Sequence, residues 1–455
     1  MGLKGIVKNI LKKGPVETWK LYKQRSGDRD RITETQRALA LQEMQEEPEM
    51  RDAYLDYINR MKDPRAFKEY LKEMHDKCVR DDIPAIYMEA SKAPVEDKII
   101  IMEKGQAPSP SNEHIGQVLE EQGRYEVIYM SLGIRETTYL KYYENVKHFV
   151  KEAATAKAVL LSTANDFFSF VDLRPETKII QLWHGVGMFK KVGYSTLDSK
   201  RFGPGEKYRQ EFDQYKGYSY VTIASENQAW MFEDAMHISA DSGVLAPVGI
   251  SRTDLFFDDE YMKQSRQLLE DMIPQAKGKK IILYAPTFRG TVNNAKAPDR
   301  LDVNALAEEL SEDHILLIKH HGLCLGRTPA IPEKWNNTFA FDMNDVPDMG
   351  IERLLAISDI CITDYSSIAF EYSIMEKPIV FFAYDLDEYV DERGMYFNYS
   401  EITPGPVCRT NRELIDSIAA LRKGFDKDEI HAFHMKYADM CDGHATERTI
   451  ALIES

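Results

Sequence analysis

The chain has 455 residues, too many for one ordinary core, so two or three domains are expected. Its formal net charge of −16 argues against a general nucleic-acid binder, and no apolar run approaches the roughly 20 residues of a membrane span. The five cysteines, Cys78, Cys324, Cys361, Cys408 and Cys441, are scattered and never spaced CxxC, which fits a reducing compartment and offers no zinc framework. With no cleavable signal pattern at its start, the sequence reads as cytoplasmic.

Residues 1–25 set Lys4, Lys8, Lys12, Lys13, Lys20, Lys23 and Arg25 against one acid, Glu17. Leu3, Ile6, Val7, Ile10 and Leu11 fall on one helical stripe between those lysines. Such a segment suits an anionic membrane surface, or a groove on its own protein; the almost purely basic polar face favours the membrane. Residues 28–94 are highly charged and read as helices, with a broken apolar face and breaks expected at Pro48, Pro64 and Pro84. Residues 1–94 are therefore expected to form a helical appendage, a candidate for homo-oligomer or acceptor contacts.

From Lys98 the pattern alternates between strands and helices. Lys98–Met102, Tyr125–Met130, Val159–Ser162, Lys178–Trp183 and Tyr220–Ala224 are strand candidates, and Pro247–Asp254 reads as a loop. A second series follows at Lys280–Tyr284, His314–Ile318, Thr338–Phe341, Asp359–Thr363 and Ile379–Phe382. Two such series predict two doubly wound, Rossmann-like α/β domains, 95–255 and 256–455, facing each other across a cleft. A last helix, from about Asp426 to Ser455, either closes the second domain or returns to the first.

Three stretches of the second series end strands in polar residues. Asp364-Tyr365-Ser366-Ser367 follows one strand and opens a helix over Ile368–Met375, where Ser366 or Ser367 can cap N–H groups that suit an anion. Tyr284-Ala285-Pro286-Thr287-Phe288-Arg289 places a guanidinium fork after another strand. Lys319-His320-His321 ends a third. Singly each reads as an exposed loop; together, on one sheet edge, they read as a phosphate site. In the first series, Gln181-Leu182-Trp183-His184-Gly185-Val186-Gly187-Met188-Phe189-Lys190-Lys191 puts an imidazole where a strand ends. Neutral His184 can take a proton from a hydroxyl. Gly185 lets a ligand approach the backbone, and Lys190 can meet phosphate. Asp385-Leu386-Asp387 resembles a metal-binding DxD, but acidic pairs like this are common on loops, and His431 with His434 lacks further ligands at metal spacing.

Taken together, these stretches resemble the CDP-glycerol glycerophosphotransferase family, the primases and polymerases of teichoic acid synthesis. The resemblance runs roughly from Lys98 to Ser455. It rests on Trp183–Gly185 with the following lysines, Gly249–Asp254 (GISRTD), Tyr284–Arg289, Lys319–His321, Asp364–Glu371 and Asp442–Arg448 (DGHATER). Each is short; their joint occurrence in order is specific. The resemblance implies a GT-B architecture and transfer of a polyol phosphate from a CDP-activated donor to an acceptor hydroxyl on a lipid-linked polymer, with release of CMP. It implies no metal and no cofactor; with the basic segment 1–25 beside it, a peripheral place on the inner face of the cell membrane is expected.

Carried over by position, His184 becomes the general base, and His321 (or its neighbour His320) the group at the leaving phosphate. Arg289, Ser366 and Ser367 hold the pyrophosphate, with Asp364 and Glu371 fixing the polyol or the loop. Gly185, Lys190, Arg252, Asp254, Thr287 and Lys319 complete the binding set. Gly187 stands where many members have proline, so CDP-ribitol competes with CDP-glycerol as donor. The alternatives are a GT-B glycosyltransferase using a nucleotide sugar, and a non-catalytic nucleotide-binding module of a membrane assembly. Binding alone needs no second imidazole, which argues against the last.

Overall fold

Aliphatic runs such as Ile99–Met102 and Ile281–Tyr284 are buried on both faces, the pattern of parallel strands covered by helices on either side. The computed structural model describes residues 34–105, 108–134, 137–199, 209–291 and 294–455; the basic segment 1–25 lies outside them. The first sheet comprises β1 (Glu96–Glu103), β2 (Glu126–Ser131), β3 (Ala156–Leu161), β4 (Lys178–Gln181), β5 (Tyr220–Ile223) and β6 (Leu245–Pro247). The second comprises β7 (Lys280–Tyr284), β8 (His314–Ile318), β9 (Ala340–Asp342), β10 (Ile360–Thr363), β11 (Ile379–Phe382) and β12 (Val407–Cys408). The orders are β2-β1-β3-β4-β5-β6 and β12-β11-β10-β7-β8-β9, and neighbouring strands are parallel throughout. This is the pair of doubly wound domains expected from the sequence.

The strands β6 and β12 were not anticipated. They span three and two residues, too few to show a pattern. The expected loop at Pro247–Asp254 is instead the end of β6 followed by a 3-10 stretch, Ser251–Phe257. The helix after Ser367 is shorter than expected, Ile368–Ser373.

The N-terminal helices are fastened to the first domain. Pro64 opens a helix, Pro64–Lys77, with Asp63 capping the N–H groups of Arg65 and Ala66. Pro84 does not break the chain's helical course, which passes through a π-helical turn, Cys78–Asp82, into Ile83–Ala90. Glu43 accepts from the Thr137 hydroxyl and from both the N–H and hydroxyl of Thr138, at the start of the helix Tyr139–Ala153. Cys78, Val79, Ile83 and Tyr87 share one core with Ile100, Val146 and Val159. Position 94 is thus no packing boundary: the second half of the expected appendage belongs to the first domain's core.

The single last helix expected from about Asp426 is two. Asp428–Tyr437 packs Phe433 and Tyr437 on Phe370 of the second domain. After a turn at Gly443 (φ 90°), Ala445–Glu454 crosses back and buries Ile450 and Ile453 with Ile99, Ile101 and Ile180 of the first sheet. Traffic runs the other way too. Val186 and Phe189, from the loop after β4, lie in the second domain's core, and the Phe189 ring sits 4.6 Å from that of Phe370. The Tyr396 N–H donates to the Phe189 carbonyl at 2.9 Å.

Candidate active site

Both sheets turn the carboxyl ends of their central strands toward the same cleft, where a doubly wound sheet places its ligands. From the first domain comes the loop after β4. Trp183 takes a left-handed backbone, φ 53°, unusual for a bulky residue. Packing holds it there: its ring is buried and meets Phe232 edge-on at 5.3 Å. This twist delivers His184 into the cleft, its ring 4.5 Å from that of Trp183. Gly185 then comes up against the second domain, since a Cβ there would lie 3.4 Å from Ser367 Oγ. At Gly187 a Cβ would lie 2.4 Å from the Phe370 ring, so only glycine fits this close approach.

Solvent reaches the His184 ring, yet protein crowds it on the cleft floor. Burial, then the charges of Arg252, Lys104 and Lys190, push its pKa down to about 4. The imidazole is therefore neutral at physiological pH and ready to accept a proton.

Lys190 spans the cleft. Its ammonium donates to Thr287 Oγ1 of the second domain at 3.1 Å. Its charge also acts on His184, His321 and Asp364, so it stands among all three. His321 lies on the cleft side with its ring 4.9 Å from Phe288. Burial, then Lys190, lower its pKa. Its Nδ1 accepts the Leu323 N–H at 3.2 Å, so the neutral ring carries its proton on Nε2, as a donor. Ser366 and Ser367 stand half-buried at the start of Ile368–Ser373, and Ser366 Oγ accepts the Ile368 N–H.

Arg289 and Asp364 form the frame beneath. Asp364 is buried; its Oδ1 accepts the Thr287 and Tyr365 N–H groups and its Oδ2 accepts Arg289 Nη1 at 2.9 Å. Burial raises its pKa, with Arg289 opposing. Arg289 also grips Asp385 through Nε at 2.5 Å and Nη2 at 2.9 Å, and donates to the Thr287 carbonyl. Three tyrosine rings, Tyr365, Tyr384 and Tyr389, lie within 5.5 Å of the guanidinium. Four of its five N–H groups are thus spent on the protein. It is not the open fork the sequence suggested; it shapes the loop that carries Thr287.

Arg252 and Glu371 make a second buried pair beside His184, with Glu352 at 3.8 Å from Arg252. Burial raises the Glu371 pKa; Arg252 and the Val186 N–H oppose it. Glu371 therefore fastens the loop after β4 to the second domain.

Three expected site residues do not reach the cleft. Asp254 accepts the N–H groups of Ala445 and Thr446 and so caps the returning helix. Lys319 is tied to the carbonyls of Met343 and Asn344. His320, one residue from His321, faces the other way into a pocket of about 450 Å³ with Tyr284, Arg300, Asn304 and Asn411. Neighbouring residues leaving a strand point to opposite faces, so of the two only His321 lies on the cleft side. The sequence reading missed Asp385, Tyr365 and Lys104. Asp385 carries a signal, an acid just after a strand, but its acidic pair is of a kind common on loops.

The profile of one family, described as CDP-Glycerol:Poly(glycerophosphate) glycerophosphotransferase, matches residues 85–455. A teichoic acid poly(ribitol-phosphate) polymerase of Bacillus spizizenii is 30% identical over 354 residues, 73% of this chain and 54% of that protein. The chain thus spans about half the length of that relative. A teichoic acid ribitol-phosphate primase of the same organism is 33% identical over 66% of this chain and 76% of its own length. A teichoic acid glycerol-phosphate primase of Bacillus subtilis is 31% identical over 70% and 79%. Among solved structures, the wall teichoic acid polymerase TagF superposes with a TM-score of 0.66 at 22% identity, covering 85% of this chain and 97% of that one, which shows a shared GT-B fold. Sequence motifs, profile and fold agree, and the chain belongs to the CDP-glycerol:poly(glycerophosphate) glycerophosphotransferase family.

Proposed function

We propose that this protein moves a polyol phosphate from a CDP-activated donor onto an acceptor hydroxyl of a teichoic acid-type polymer. His184 takes the hydroxyl proton. The acceptor oxygen attacks the phosphorus that carries the polyol, and the bond from that phosphorus to the bridging oxygen breaks. CMP leaves with the bridging oxygen. Charge building on the phosphate oxygens meets Lys190, the Nε2–H of His321 and the hydroxyls of Ser366 and Ser367. Asp364, Arg289 and Thr287 hold this donor loop in shape, and Arg252 with Glu371 holds His184's loop against it. The observation that carries the reading is the Lys190–Thr287 bridge, which sets a neutral histidine from each domain around one cation.

Incubation with CDP-glycerol, CDP-ribitol and UDP-sugars, with a polyol-phosphate acceptor present, tests it. CMP release from one of the CDP-polyols is expected, together with acceptor growth by one unit mass or more. Nucleotide release from a UDP-sugar alone overturns the reading in favour of a glycosyltransferase.

We further place the enzyme at an anionic membrane surface through residues 1–25, with a lipid-linked acceptor. Seven basic side chains at roughly 1 kcal/mol each near an anionic leaflet, added to an apolar stripe, support this. Removing residues 1–25 should release the protein from anionic vesicles while soluble acceptors are still used. Unchanged vesicle sedimentation of the truncated form rules the anchor out.

A further inference from the structure

A third charged group near His184 belongs to no motif. In the first sheet Met102 of β1 pairs with Leu161 of β3, and Leu161 with Gln181 of β4. Two residues further along each strand, the chain brings Lys104, Thr163 and Trp183 to the same edge, with His184 next. The Lys104 ammonium donates to the Ala164 carbonyl at 3.0 Å. Its arm therefore lies across the end of β3, one strand spacing, about 5 Å, from the end of β4. That carbonyl is its one hydrogen-bond partner among the described residues, which leaves donors over.

Among the described residues no acid pairs with Lys104 in contact, although the charge of Asp166 acts on it from nearby. Glu103 accepts from the Ser109 N–H, Asn112 Nδ2 and the Ser162 hydroxyl. Asp166 sits 3.3 Å from His75 Nε2. In the same turn, Thr163 Oγ1 and Asn165 Nδ2 are buried without a protein partner. Asn165 Oδ1 accepts the Phe167 N–H, so its amide group is left over. Buried polar atoms without partners are costly, and such atoms beside a cleft ask for a ligand. An ammonium, a hydroxyl and an amide N–H₂ all donate. Their common partner is an oxyanion; a neutral sugar would need acceptors as well.

We infer that Lys104, Thr163 and Asn165 form a subsite for a phosphodiester of the acceptor, one polyol unit back from the hydroxyl that His184 activates. The inference rests on the transfer reaction proposed above and narrows its acceptor: the preferred one already ends in a polyol phosphate. An anion there also screens Lys104, one of the charges that depress His184, so acceptor binding makes the base stronger.

The test uses the full chain and two probes of equal length. One is bis(glyceryl) phosphate, with a single phosphodiester; the other is the uncharged bis(glyceryl) formal, in which a CH2 stands in place of the phosphorus. Lys104→Gln removes a charge-assisted bond worth about 1.5 kcal/mol or more, about tenfold. The ratio of kcat/KM for the two acceptors should fall about tenfold, and the Kd of bis(glyceryl) phosphate without donor should rise about tenfold. Lys104→Arg should keep most of both. Equal losses with both acceptors would show that Lys104 merely supports the loop. An unchanged Kd would place the acceptor phosphate elsewhere. If no CDP-polyol is turned over by the unaltered protein, the transfer reading fails and the Kd comparison alone decides the subsite.

Discussion

His184→Ala lowers turnover by about 10²–10⁴-fold, the range of a positioned proton acceptor, and leaves the affinity for the CDP donor little changed. The groups that face the donor phosphates stand mainly on the second domain, whereas His184 arrives on the loop after β4 of the first. His321→Ala should differ, weakening donor binding as well as turnover, because His321 follows β8 of the donor domain. The pH dependence carries the same assignment. An unperturbed histidine titrates near 6.5, but burial and three cations hold His184 down to about 4. A base with a depressed pKa stays neutral as pH falls from 7 to 5 and is lost only as pH drops through the folded value. The acid limb of kcat/KM should therefore lie well below 6. Near-normal turnover of His184→Ala would make the histidine a structural loop residue. Loss of donor binding in His184→Ala, with none in His321→Ala, would exchange the roles of the two domains.

Arg289→Ala should destabilise the protein by about 3–5 kcal/mol, the usual cost of leaving a buried charge without its partner. Asp364 is buried and its Oδ2 accepts from Arg289; Asp385 accepts two more of its four bonds. Removing the guanidinium strands both carboxylates beneath Tyr365, Tyr384 and Tyr389. For a domain of this size the melting temperature should fall by about 10 °C. Arg289→Lys should rescue little, since one ammonium cannot serve two carboxylates in the geometry of a planar fork. Donor affinity should fall with the frame. A melting temperature equal to that of the unaltered protein, with donor affinity reduced, would return Arg289 to the ligand-gripping role that its sequence position suggests.

The sequence was most legible where burial is symmetric. Lys280–Tyr284, His314–Ile318 and Ile379–Phe382 were readable to the residue, because an apolar run bounded by polar loops marks a strand covered on both faces. Motifs placed His184, Lys190, Thr287, His321 and the Ser366–Ser367 turn on one cleft. What the motifs did not carry was partnership. Arg252 and Glu371 stand 119 residues apart, and nothing in either segment announces the other. Asp385 looks solvated until Tyr365, from a separate segment, joins Tyr384 and Tyr389 around its arginine. Lys104 lies in no motif and gains meaning only from the strand register. Strand alternation did hold a usable signal for His320 and His321, which follow β8 on opposite faces.

The returning helix Ala445–Glu454 also has a bearing on how the chain is made. The face of the first sheet that Ile450 and Ile453 cover includes Ile99, Ile101 and Ile180. Those strands leave the ribosome early, and Ile115 and Leu119 of the helix Pro110–Gln122 soon cover part of that face; the rest of its cover is synthesised after the entire second sheet. Until then the part of that face that Ile450 and Ile453 cover stays open beside the nascent chain, at the stage when exposed surface invites aggregation. The two domains are therefore one unit of biogenesis. A fragment that stops after the first sheet should be sticky and unstable, and cutting the chain between β6 and β7 should yield two poorly soluble pieces in place of two working ones.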